Sequence, residues 1–225
     1  MVDLVVAPAE HRAAVYAVTR WHYSRRMPSG KLVRAGAWED GEFIGVVMFG
    51  RGAAPALGRA FGCSATQVCE LVRVALTTHQ SPTTQVVARA IAWLRRTNPG
   101  LRLIVSFADE GQGHLGTIYQ AGNWTYTGAV DHQWYRVNGR MVHPKTLHST
   151  YGIGGQSIPW LREHVDPHAE RVPMPPKHRY VMPLDRGMRR VVAGMAVPFP
   201  RGQGLEGEPA PSRGDGPGST PGGRS

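Results

Sequence analysis

The chain has 225 residues, 41% of them apolar, and a formal net charge of +10. That length suits one well-packed domain with a tail, and no apolar run approaches the roughly 18 residues that a membrane-spanning helix needs. The charge points to a polyanionic partner, foremost nucleic acid. Cys63 and Cys69 are too few for a disulfide scaffold, and their spacing suits neither a redox pair nor a zinc knuckle. They read as small buried hydrophobes in a reducing compartment. With no secretory signal at the N-terminus, a cytoplasmic protein without membrane association is expected.

In chain order, residues 3–6 read as a strand and 9–21 as a helix, with Val15, Val18 and Trp21 at helical spacing. Trp21-His22-Tyr23-Ser24 closes that helix and Pro28-Ser29-Gly30 forms a turn. Residues 33–38 and 43–49 read as strands joined through Asp40-Gly41, a hairpin signal. A Gly/Ala/Pro-rich loop over 50–62 leads to a strand over 68–76. The helix over 83–97 carries the stripe Val86, Val87, Ala90, Ile91 and Leu94. Ser81 is its expected cap, Pro82 suits its first turn, and Asn98-Pro99-Gly100 stops it. A strand over 101–108 and a short helix over 117–122 follow. Two closing strands, 124–130 and 133–137, are joined through Asp131-His132.

From Met141 the pattern loosens. Residues 142–151 are polar and His-rich, and 158–164 suit a short helix. Between 171 and 190 lie Arg171, Lys177, Arg179, Arg186, Arg189 and Arg190 against a single acid, Asp185, with Tyr180 interleaved. The Pro/Gly/Ser-rich stretch 198–225 is expected to be disordered. Its charges cancel, so the net charge resides on the folded part. The whole reads as a single α/β (α+β) domain with a mixed central sheet flanked by helices. Its parts are a core over 1–140, a basic extension over 141–197 packed on that core and suited to a polyanion, and the tail.

Ligands bind at strand ends in such folds. The apolar strand ending in Phe107-Ala108-Asp109-Glu110 runs into a glycine-rich turn and a helix carrying Tyr119, which brings Ser106, Asp109, His114 and Tyr119 close together. Asp109 suits a general base or a group orienting one, and Tyr119 an acid for a leaving group. Ser106 lies inside a strand rather than at a Gly-x-Ser-x-Gly elbow, which disfavours a serine hydrolase. Arg73 suits a bidentate clamp on phosphate or carboxylate. Glu70 and Arg73, three apart on one strand, are expected on opposite faces, with at most one in a given site. His22 and Asp109, with Tyr23, form a nitrogen/oxygen set compatible with iron.

The polar loop between the 68–76 strand and its helix has the makings of an anion site, since free backbone amides and the helix dipole favour a phosphate. It resembles the acyl-coenzyme A site of the GNAT acyltransferase superfamily, with Thr78, Gln80, Ser81, Thr83 and Thr84 as donor-binding candidates, although Gln80-Ser81-Pro82-Thr83-Thr84 has no glycine.

Five blocks in order resemble the Mom family of phage DNA modification proteins. They are Trp21-His22-Tyr23-Ser24 with Pro28 and Gly30; Gly45-Val46 near Phe49-Gly50; Glu70-Leu71-Val72-Arg73; Ser106-Phe107-Ala108-Asp109 with the stretch from Gly113 to Trp124; and Lys177-His178-Arg179-Tyr180-Val181 with Pro183-Leu184-Asp185. The resemblance implies a GNAT-like fold and transfer of a carbamoylmethyl (acetamido) group to N6 of adenine in duplex DNA, which shields phage DNA from host restriction. It maps functional positions onto His22, Tyr23, Arg73, Ser106, Asp109 and Tyr119. A paired adenine is shielded in the stack, so base flipping is expected. Arg25, Arg26, Lys31, Lys177, Arg179, Arg186, Arg189 and Arg190 are candidates to hold phosphates. The competing readings are an ordinary N-acyltransferase acting on a small amine or a protein, and a DNA-binding protein without catalysis. No helix-turn-helix or zinc-finger pattern supports the latter.

Overall fold

The structure, a computed structural model, describes residues 2–51 and 57–200. Part of the 50–62 loop and nearly all of the expected disordered tail therefore lie outside the described residues. Chain order begins with β1 (Leu4–Pro8), α1 (His11–Trp21), β2 (Leu32–Glu39), β3 (Glu42–Gly50), β4 (Val68–Leu76), α2 (Thr83–Thr97) and β5 (Leu103–Asp109). It continues with α3 (Thr117–Ala121), β6 (Thr125–Val137), β7 (Arg140–Val142), α4 (Pro144–Tyr151), α5 (Ile158–His164), β8 (Glu170–Pro183) and α6 (Arg186–Ala193). One sheet runs β1-β2-β3-β4-β5-β8-β6-β7. Its neighbours are antiparallel except β4 and β5, which run parallel.

Local chemistry accounts for most of these elements. At the β2–β3 hairpin, Asp40 (φ 48°) and Gly41 (φ 86°) both take positive φ, the two-residue turn that matches strand twist. Helix α2 buries Val86, Val87, Ala90, Ile91 and Leu94 against Val47, Phe49, Leu71 and Ile104. Each large side chain so buried contributes about 1.5–3 kcal/mol relative to exposure, which fixes a helix that would be marginal alone. Alternation along β3 sends Val46 and Met48 to the opposite face, under Ala14, Ala17 and Val18 of α1. On β5, Leu103 and Val105 face Met188 and Val192 of α6.

Four expectations change. The two closing strands are one strand, β6, in which register shifts between Tyr126 and Ala129 and between Val130 and His132 absorb the irregularity expected at Asp131-His132. Residues 142–151 contain α4, capped by the His143 side chain with Pro144 in its first turn. Pro82, not Ser81, is the N-cap of α2, and no side chain caps the helix. Finally, the stretch sketched as an extension on the core supplies β8, hydrogen-bonded between β5 and β6 at the middle of the sheet. The apolar residues Tyr180 and Val181 and the buried His178 are embedded in its basic sequence.

Candidate active site

Strands β4 and β5 pair only from Val68–Leu103 to Glu70–Val105 and then part. The gap opens into a cavity of about 790 Å³ lined by β4, the end of β5, the turn after it, α3 and the end of α1. His22, Tyr23, Glu70, Arg73, Asp109, His114, Tyr119, His132 and Lys177 all face it.

Glu70 and Arg73 share this cavity because β4 is bulged, which corrects the expectation of opposite faces. Met48 pairs with Arg73 and Phe49 with Leu71, leaving Val72 as an extra residue. A bulge of one residue shifts the alternation by one. Arg73 Nη1 donates to the Val72 carbonyl at 2.6 Å, while its Nε is buried with no hydrogen-bond partner in the protein. Leaving such a donor unmet is costly, and an anionic ligand would satisfy it.

Tyr119 is fixed from several sides. Its ring packs on Trp124 and Tyr180 with centroids 5.1 and 5.2 Å away. Its hydroxyl lies 2.7 Å from Ser106 Oγ, which is also 2.9 Å from the Leu71 carbonyl across the strand gap. Ser106 does not line the cavity; it holds Tyr119 in place. Burial pushes the Tyr119 hydroxyl up to about 12, against the pull of the Ser106 hydrogen bond, so the phenol keeps its proton at neutral pH. The glycine-rich turn permits this packing. At Gly116 (φ +82°) a Cβ would lie 2.3 Å from the Tyr180 ring. The Tyr180 hydroxyl donates to the Leu115 carbonyl and receives a hydrogen bond from Gln120 at 3.1 Å.

At the rim, Asp109 accepts the Gly111 amide at 3.1 Å through Oδ1, and its Oδ2 lies 3.4 Å from Lys177 Nζ. His22 is buried, and burial, then Arg73 and His114, lower it to about 4. Its Nδ1 accepts the Ser24 amide at 3.1 Å and lies 2.8 Å from Ser24 Oγ. The ring is therefore neutral with its proton on Nε2. Tyr23, 56% exposed, bridges the two sides of the opening, its ring 4.3 Å from His22 and 5.0 Å from His114. Burial raises its hydroxyl, Arg73 opposing and Asp109 adding.

The iron expectation does not fit this donor set. Among the described residues no three His, Cys, Asp or Glu side chains gather to hold a metal. The donor-loop expectation also changes. None of Thr78, Gln80, Ser81, Thr83 and Thr84 lines the cavity. The amides of Gln80 and Ser81 donate at 2.8 and 2.7 Å to the Glu39 carboxylate, which the Ser81 hydroxyl and these amides hold below its ordinary pKa. A carboxylate of the protein itself thus fills the anion seat expected for coenzyme A phosphates.

Of the candidate phosphate contacts, Lys177 stands at the cavity. Arg25, Arg26 and Lys31 are exposed, as are Arg186, Arg189 and Arg190 on α6. The one acid beside α6, Asp185, is occupied. It caps the helix through the Met188 amide at 2.7 Å and pairs with Arg102 at 2.7 Å, chiefly the latter bringing it down to about 2. Arg179 is engaged within the fold. Its Nε donates to Thr127 Oγ1 at 2.8 Å and its guanidinium lies over Phe61 at 5.4 Å, so it ties β8 to β6. His132, expected in the connection between two strands, faces the cavity with a buried, unpaired Nδ1. No local pattern marks it, since Asp131, His132 and Gln133 are all polar and Trp134 and Tyr135 are adjacent aromatics.

The parted β4–β5 pair thus gathers a neutral buried tyrosine, a rim carboxylate and an arginine with an unmet donor around one cavity of a mixed α/β fold. The chain matches the Mom protein family over residues 3–201 and belongs to that family. It is 29% identical over 147 residues, 63% of this chain, to the methylcarbamoylase mom of Escherichia phage Mu. The match spans 60% of that relative's length. Among solved structures, an aminoglycoside N-acetyltransferase aligns with TM-score 0.45 at 11% identity, over 83% of this chain and 99% of that one. An aminoglycoside 6'-N-acetyltransferase from Enterococcus faecium aligns with TM-score 0.41 at 11% identity, over 81% and 98%. No helix among the described residues is long and apolar enough to cross a membrane.

Proposed function

We propose that this protein is a DNA-modifying transferase that attaches a carbamoylmethyl group to N6 of adenine in duplex DNA, and so shields phage DNA from restriction. The observation that carries the reading is the convergence of Asp109, Tyr119, Arg73, His22 and Tyr23 on one cavity in a member of the Mom family. Exposed arginines and lysines on the same chain supply the electrostatic footprint that duplex binding requires.

An adenine reaching this cavity has left the stack, and the exposed Tyr23 ring at the opening gives it an aromatic surface. Asp109 accepts a hydrogen bond from the N6 amine and takes its proton as N6 bonds to the donor's methylene carbon. The leaving group departs with the electron pair of its bond to that carbon, and the Tyr119 phenol supplies a proton. Arg73 holds the donor's anionic part through its unpaired Nε. His22, neutral, presents Nε2–H as a donor. The loop amides expected to hold coenzyme A phosphates are taken by Glu39, so no step is assigned to that loop.

Plasmid from cells making the protein is expected to resist endonucleases whose sites contain adenine, whereas plasmid from cells making Asp109→Ala is cut. Equal cutting of both, with acylation of a small amine or protein instead, would move the site to ordinary N-acyl transfer.

A further inference from the structure

Resting on that reading, we infer that Lys177 masks Asp109 in the free protein and leaves it for a DNA phosphate when duplex binds, so that the carboxylate is freed only with substrate in place. Lys177 and Asp109 face each other across the β5–β8 ladder, both line the cavity, and Nζ lies 3.4 Å from Oδ2. Asp109 cannot move aside. Its Oδ1 is held by the Gly111 amide, its carbonyl accepts the His114 amide at 3.1 Å, and Pro175 packs beside Gly111. Lys177 is free to move, since its charge rides on a flexible four-carbon stem with three rotatable donors.

The side chains are 38% and 28% exposed, and a partly exposed pair of this kind is weak. Exchanging the carboxylate for a phosphate therefore costs little and gains a counterion-releasing contact. An arginine committed like Arg179, with two hydrogen bonds to Thr127, could not make this exchange.

The test is fluorescence anisotropy of a labelled adenine-containing duplex across a salt series, with wild type, Lys177→Met, Asp109→Asn and the double variant. Lys177→Met is expected to lower the slope of log Kobs against log salt by about 0.9 in magnitude, one phosphate contact. Asp109→Asn is expected to tighten binding by about two- to fivefold, the scale of an exposed ion pair. That gain should vanish in the Lys177→Met background. Lys177→Gln repeats the cycle should the methionine variant not fold. A slope unchanged by Lys177→Met, or an equal gain from Asp109→Asn in both backgrounds, overturns the inference while leaving a DNA-modifying site intact. Wild-type protein that binds no duplex at low salt overturns the reading itself, and the inference with it.

Discussion

Two polar regions lie along β4, and they are in opposite states. At its bulge, Arg73 sits in a cavity with a buried Nε that nothing in the protein satisfies. Past its C-terminal end, the loop before α2 had the sequence of an anion site, yet Glu39 already takes the Gln80 and Ser81 amides. Buried polar groups are nearly always paired. The paired loop is satisfied within the protein, whereas the arginine keeps an unmet donor that the proposed anionic ligand would satisfy.

The largest test of this contrast is at the cavity. Asp109→Asn and Tyr119→Phe are each expected to cut DNA modification by about 10²–10⁴-fold, the range of a general acid or base, with thermal melting little changed. Full activity in folded variants would remove both from the chemistry. Next, Arg73→Met is expected to reduce activity at least tenfold while raising stability by about 1 kcal/mol, because it removes an unmet buried donor. Chemical denaturation measures the second half, and a loss of stability would show that Arg73 is structural after all. Gly116→Ala forces positive φ on a Cβ that collides with Tyr180. It is expected to cost about 1–3 kcal/mol and to disturb Tyr119 through the stacked rings, seen as lower activity per folded molecule.

Most of the secondary structure was legible because it rests on local signals: helical stripes in α1 and α2, the Asp40-Gly41 turn, and the strand-to-glycine transition after Asp109. The gathering of Asp109, His114 and Tyr119 at the β5 end was legible for the same reason. The closure of the α2 loop was not, since Glu39 lies 41 residues before the Gln80 amide it holds, and a carboxylate bound to backbone leaves no side-chain pattern. The shared face of Glu70 and Arg73 was hidden because strict alternation fails at a bulge. β8 was not legible because its apolar residues are separated by charges and its pairing, with β6 along most of its length and with β5 from Lys177 to Pro183, is nonlocal. Arg179 shows the same limit, its sequence spelling a surface cation and its environment an internal tie.

Smaller effects sharpen the contrast. Glu39→Gln is expected to lower Tm at neutral pH without lowering activity per folded molecule. Because the folded Glu39 carboxyl is held below its ordinary value of 4.5, its stabilisation is complete above about that pH and is lost as pH falls through the lowered value. The variant should therefore flatten the acid limb of the stability curve. His22 acts over a higher window. Its folded value of about 4 lies below the ordinary 6.5, so the unfolded chain binds the proton first and stability falls between about pH 6.5 and 4. His22→Gln should remove that part of the decline, as urea melts at stepped pH would report.

The central claim is tested most directly by mass spectrometry of nucleosides from plasmid DNA made in cells expressing the wild-type protein and Tyr119→Phe. The account predicts an adenosine heavier by one carbamoylmethyl group in the first sample and its near absence in the second. Unmodified adenosine in both, with the wild-type protein folded in the cell, would contradict it.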